Sequence, residues 1–139
     1  MKKQDNQAEE WKNKYLRALA DYQNLEKRTI EQVSEARKFA SERVFWRLLP
    51  VVDTLGKVKE HVEDAGLALA LRELDAVLVE QGVERMIVVG HPFDPHEMEC
   101  IEVVQGADNQ VLEESLPGYR LHGKILRVAQ VKVGKQKGG

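Results

Sequence analysis

The stretch WKNKYLRALADYQNLEKRTIEQVSEARKFASERV (Trp11–Val44) decides how this chain is built. It contains no Gly and no Pro, and the same holds for all of residues 1–49. That absence is itself a helix signal. Trp11, Tyr22, Val33 and Val44 recur every eleven residues, and Tyr15, Ala18, Leu25, Thr29, Ala36 and Ala40 fall between them at steps of three and four. Such spacing keeps all of them on one helical face. An eleven-residue repeat winds straight or slightly right-handed, unlike a heptad coil.

Some forty helical residues make a rod of roughly 60 Å. It carries one narrow apolar stripe, and nothing in its own chain is long enough to cover it. A second copy does so most economically, so the pattern predicts a homodimer paired through Trp11, Tyr15, Ala18, Tyr22, Leu25, Val33, Ala36, Ala40 and Val44. The alternative is a single exposed helix supported by i,i+4 charge pairs.

Downstream, Pro50 predicts that the rod ends or kinks at Leu49, because a residue before proline is biased away from helix. Val51, Leu55, Val58 and Val62 then mark a short amphipathic helix ending at Gly66. Leu67, Leu71, Leu74, Val77 and Leu78 mark a second, stopped by Gly82. Joined by a tight turn these form a hairpin. Two hairpins would complete a four-helix bundle through Leu71, Leu74 and Leu78.

Beyond Gly82 the segments VERMIVVG, CIEVVQ, VLEESL and ILRVAQVKV are β-branched and separated by turn clusters at GADNQ and PGYRLHGK. In the last, Ile125, Arg127, Ala129, Val131 and Val133 alternate with Leu126, Val128, Gln130 and Lys132, a half-buried strand pattern. The expected fold class is therefore α+β. It comprises a stalk over 1–49, a helical hairpin over 50–82, a compact β-domain over 83–135 and a flexible tail over 136–139.

The 139 residues carry a net charge of −2, which argues against a general nucleic-acid binder. Residues 1–49 hold 11 Lys+Arg and 8 Asp+Glu, against 10 and 15 in the remainder, so a mildly basic arm joins an acidic body. A lone cysteine forms no internal disulfide. No apolar run approaches a membrane span, and MKKQDNQAEEW has no apolar core of a secretory signal. A cytoplasmic protein is expected.

The chemistry-rich stretch GHPFDPHEMECIEVVQ (Gly90–Gln105) holds His91, His96 and Cys100. A structural zinc site needs four ligands at recognisable spacing, and no partner pair accompanies these. Cys100 opens an apolar run and reads as a small buried residue rather than a nucleophile. There is no phosphate-cradling glycine loop. The expectation is a non-enzyme without metal or cofactor, in which Pro92 and Pro95 fix a corner. Asp94 caps the turn through the amides of His96 and Glu97, and Phe93 and Met98 anchor it.

FDPHEM (Phe93–Met98) and GYRLHGKILRVAQVKV (Gly118–Val133) resemble the GrpE signature, carried by Phe93, Asp94, Pro95, Met98, Gly118, Tyr119, Gly123 and Arg127. DYQNLEKRT (Asp21–Thr29), ARKFA (Ala36–Ala40) and LLPVVDTL (Leu48–Leu55) look like the long-helix and helix-break motifs of the same family, in the same order. The resemblance implies a homodimeric nucleotide exchange factor for a DnaK-type chaperone, with a stalk associated with thermosensing. Such a factor binds the chaperone's ATPase domain and stabilises its open cleft so that ADP leaves. Carried over by motif, the contacts would be Lys27, Arg28 and Phe39 on the long helix. On the β-domain they would be Glu114, Ser115, Leu116, Lys124 and Val133. Glu26, Ser115, Cys100 and Val128 depart from residues common in the family. A different reading is a coiled-coil scaffold or adaptor whose β-module binds a partner without touching a nucleotide cycle.

Overall fold

The structure is a computed structural model and describes residues 1–137. Helices precede strands, as an α+β chain requires, and the chain divides into two compact units, Met1–Ala40 and a second beginning at Ser41.

The first unit is one helix, α1 (Lys2–Phe39), with no buried residue. Trp11, Tyr15, Tyr22, Leu25 and Val33 all lie exposed along it, as do Ala18 and Ala36. Lys14 pairs with Glu10 at 3.3 Å and stands 4.8 Å from the centre of the Trp11 ring. At this exposure such a pair adds a few tenths of a kcal/mol.

In the second unit, α2 (Glu42–His61) contains Pro50 in its interior. Of the expected end or kink at Leu49, the end does not occur there: α1 ends ten residues earlier, at Phe39, and α2 runs through the proline. Pro50 deletes the amide that would bond the carbonyl of Trp46. Both residues are exposed, so water can take that carbonyl. Thr54 Oγ1 also donates to the Pro50 carbonyl at 2.9 Å. On the opposite side Leu49 and Val52 are buried.

Gly66 does not end this helix. Asp64 Oδ1 accepts from the amides of Gly66 (2.7 Å) and Leu67 (3.1 Å), capping α3 (Ala65–Glu80) and placing Gly66 in its first turn. Gly82, at φ +86°, stops α3 as expected. Along α3 only Leu78 is buried, while Leu71 and Leu74 are half-buried.

Among the described residues six strands follow: β1 (Val83–Arg85), β2 (Met98–Gln105), β3 (Val111–Leu116), β4 (Tyr119–Leu121), β5 (Lys124–Arg127) and β6 (Ala129–Lys135). They form two sheets, ordered β1-β4-β5 and β2-β6-β3. The first is antiparallel. In the second, β2 runs parallel to β6 and β3 antiparallel to it.

The expected strand VERMIVVG survives only as β1. Met86 bonds sideways to the Gly118 carbonyl at 2.8 Å, and the segment crosses toward the second sheet. β4 emerges inside the anticipated turn cluster. It is closed by His122 (φ 47°) and Gly123 (φ 81°), two left-handed residues that suit a tight hairpin.

The alternation expected from Ile125 to Val133 breaks at Val128, where the chain leaves one sheet for the other. Leu126 is buried in β5, then Ala129, Val131 and Val133 in β6. The core joins Met86, Val88, Met98, Val111, Ala129, Val131 and Val133, with Phe93 and Ile125 packed against it. Of the expected tail, Gly138 and Gly139 lie outside the described residues.

Candidate functional site

The corner at Gly90–Gln105 is architectural. Asp94 Oδ1 accepts from the His96 amide at 2.9 Å, whereas its backbone carbonyl takes the amides of Glu97 (3.2 Å) and Met98 (2.9 Å). The cap therefore uses side chain and backbone together, and Glu97 is held by the latter. Phe93 packs on the core and Met98 is buried within it. Pro92 bridges to Gln110, and the Phe93 amide reaches the Asn109 carbonyl at 2.9 Å.

Cys100 corrects an expectation: it is exposed, with Sγ 3.4 Å from the Glu102 carbonyl. It lies on β2, an outer strand of its sheet, next to the register shift between Cys100 and Glu102. Among the described residues no group of three or more His, Cys, Asp or Glu could hold a metal ion.

The expected contact residues fall in both units. Lys27 and Arg28 are exposed on α1, and Phe39 is half-buried at its end. In the second unit, Glu114, Ser115 and Leu116 occupy β3, the other outer strand of the same sheet. Glu114 Oε1 accepts from Arg85 at 2.5 Å, and its side chain is only 9% exposed. Burial works against the charge on Arg85, but the hydrogen bond and charge of Glu114 outweigh it, so its pKa is raised. Arg85, Glu114 and the segment Met86–Val89 line an open hollow of about 230 Å³. Ile87 stands 83% exposed at this place.

Lys124 opens β5, with its Nζ 3.8 Å from Glu42 on α2. Val133, by contrast, is 8% exposed and belongs to the core. Its side chain packs with the core cluster and leaves a partner little surface. Ala40 and Val44 are exposed, whereas Leu78 is already buried within its own chain.

Arg127 holds the unit's central polar joint. Its guanidinium donates to both Asp53 oxygens (2.6 and 2.9 Å) and twice to the Pro117 carbonyl (2.7 and 3.0 Å). It also lies 5.5 Å from the Tyr119 ring centre. Bidentate pairing uses the planar fork that only arginine offers. Sequence reasoning missed Asp53, the anchor on α2. Its signal was a carboxylate four residues after buried Leu49, on an otherwise apolar face. Arg120 and Glu97 form another such link.

Burial raises the pKa of Tyr119 above the ordinary 10.0, with Arg85 opposing. The folded state then holds the phenol proton more tightly than the unfolded chain. This contribution is constant below the unfolded pKa and lost as pH rises past it. Lys132, raised first by Glu113 and then by Glu102, acts in the same direction. Urea midpoints measured between about pH 8 and 11 should therefore fall at the alkaline end, and Tyr119→Phe should flatten that fall. An equally steep decline in the variant would refute the assignment to Tyr119.

The signature residues Phe93, Asp94, Pro95, Met98, Gly118, Tyr119, Gly123 and Arg127 thus serve one corner, one hairpin and one joint. The GrpE family model matches residues 1–135. The chain belongs to the GrpE family. It is 34% identical over 137 residues to Protein GrpE of Parageobacillus thermoglucosidasius, covering 91% of this chain and 61% of that protein. The corresponding figures for Protein GrpE of Francisella tularensis subsp. mediasiatica are 33% over 146 aligned positions, 97% and 75%. For Protein GrpE of Aromatoleum aromaticum they are 34% over 139, 94% and 72%. The chain thus spans about three-fifths to three-quarters of the length of these GrpE proteins. No helix among its described residues is long and apolar enough to cross a membrane.

Proposed function

We propose that this GrpE-family chain is a homodimeric co-chaperone that promotes ADP release from a DnaK-type chaperone by stabilising the open cleft of its ATPase domain. GrpE-family proteins are co-chaperones of DnaK, and the match over residues 1–135 carries the reading. Dimerisation is supported by the uncovered stripe of Trp11, Tyr15, Tyr22, Leu25 and Val33 on α1.

No covalent chemistry is needed. A partner that binds an open state better than a closed one shifts the population by its differential affinity. Taking a cleft from one part open in a hundred to ninety-nine requires about 10⁴-fold tighter binding of the open form. The residues assigned to this are, on α1, Lys27, Arg28 and Phe39 and, separately on the β-module, Glu114–Leu116 with Lys124. Exposed cations suit an acidic flank and favour encounter.

Release of labelled ADP from a DnaK-type chaperone tests the proposal. Micromolar chain should accelerate release at least about tenfold, and Cys100→Ala should retain that effect. Unchanged release would leave the scaffold reading, in which the β-module binds without acting on a nucleotide cycle.

A further inference from the structure

We propose that Asp53 and Arg127 are positioning residues for nucleotide exchange: their bidentate pair holds the β-module rigid on α2, so that the module discriminates open from closed cleft. This rests on the exchange reading above.

The two residues lie 74 positions apart, with side chains only 13% and 14% exposed. One guanidinium gathers three chain segments. Asp53 brings in α2, the Pro117 carbonyl brings in the chain directly after β3, and β5 carries Arg127 itself. The joint thus sits at the root of both expected contact points of the β-module. Leu116, the last residue of the Glu114–Leu116 edge, adjoins Pro117. Lys124 is three residues before Arg127 on the same strand, and its own ion pair with Glu42 ends on the same helix.

The mechanical consequence follows from the population argument. A wedge shifts an equilibrium only insofar as it fits one state better than the other. A module free to swivel on α2 would follow the cleft as it closed and keep its contacts in both states. Overall affinity would then change little, while the differential affinity would fall. Loosening the joint should therefore lower the maximal release rate without moving the half-saturating concentration in proportion. Asp53→Asn presents an amide to a guanidinium that has only donors, and Arg127→Lys keeps the charge but loses the fork.

The experiment measures ADP release from a DnaK-type chaperone against concentration of the full chain, wild type and each variant. In parallel, spin labels on Lys57→Cys and native Cys100 report the distance between α2 and β2, in chains diluted with unlabelled protein. Both positions are exposed. Expected for Asp53→Asn is an about tenfold loss of maximal acceleration, half-saturation within about threefold, and a broadened distance distribution. An unchanged maximal rate, or a loss confined to half-saturation, overturns the proposal. Should Asp53→Asn lose its circular dichroism signal, Arg127→Lys decides on the same criteria. If the wild type fails to accelerate release, the exchange reading falls. The distances still judge the joint: an unbroadened distribution refutes it.

Discussion

Changing Tyr22 and Leu25 together to aspartate is expected to leave this protein monomeric at micromolar concentration. Both side chains are more than half exposed on α1, at 63% and 52%, in the middle of the eleven-residue repeat. A helix that buries nothing of its own is sustained by packing from elsewhere. If two copies pair along this face, the substitutions strip four large apolar groups from the seam. At about 1.5–3 kcal/mol each that removes roughly 6–12 kcal/mol, before any like-charge repulsion. A weakening of at least about 10⁴-fold in dissociation constant follows. Sedimentation equilibrium reads it directly. A dimer that persisted would sink pairing through the stalk and shift attention to Leu71 and Leu74 on α3.

Gly134→Ala is expected to destabilise the second unit by about 2–4 kcal/mol, measured as a fall in urea midpoint. A methyl group there would overlap the backbone carbonyl of Ala107. Neither side can yield: the Gly134 amide donates to Gln110 at 2.8 Å, and its carbonyl accepts from Asn109 at 3.0 Å. The contrast is Gly56→Ala in α2, where an added methyl meets nothing within 4 Å. That change should stabilise by about 0.5–1 kcal/mol, since a helix interior favours alanine over glycine. Equal midpoints for the two variants would contradict the packing described around β6.

What could be read beforehand, and what could not, divides by the range of the forces involved. The helical face of Trp11, Tyr22 and Val33 is a local periodicity and is present in α1 as anticipated. Pro50 misled because its effect on the preceding residue is a preference, which burial of Leu49 and Val52 overrides. Nothing at Ala40–Ser41 announces the end of α1, since neither residue is a strong breaker. β4 was hidden because Gly118 and Gly123 mark turns on both sides of three residues that still pair. An apolar run follows Cys100 and suggests core, yet an outer strand next to a register shift leaves it exposed. Among the candidate contacts, Glu114–Leu116 and Lys124 rest on motif resemblance alone, and Val133 lies in the core. The Asp53–Arg127 joint depends on a fold that brings together residues 74 positions apart, which no local pattern encodes.

The order β2-β6-β3 has a consequence for how the module comes into being. Its central strand, β6, is the last of the three in the chain, so during synthesis β2 and β3 leave the ribosome with no partner between them. Met98 on β2 and Val111 on β3, buried with Ala129, Val131 and Val133 in the finished fold, stay bare until residues 129–135 arrive. The parallel pairing of β2 with β6 is also a non-local contact, which forms slowly. The helices can fold as they emerge, whereas the β-module waits for its final strand. A protein whose family assists chaperones thus passes through an interval in which it is itself open to mispairing.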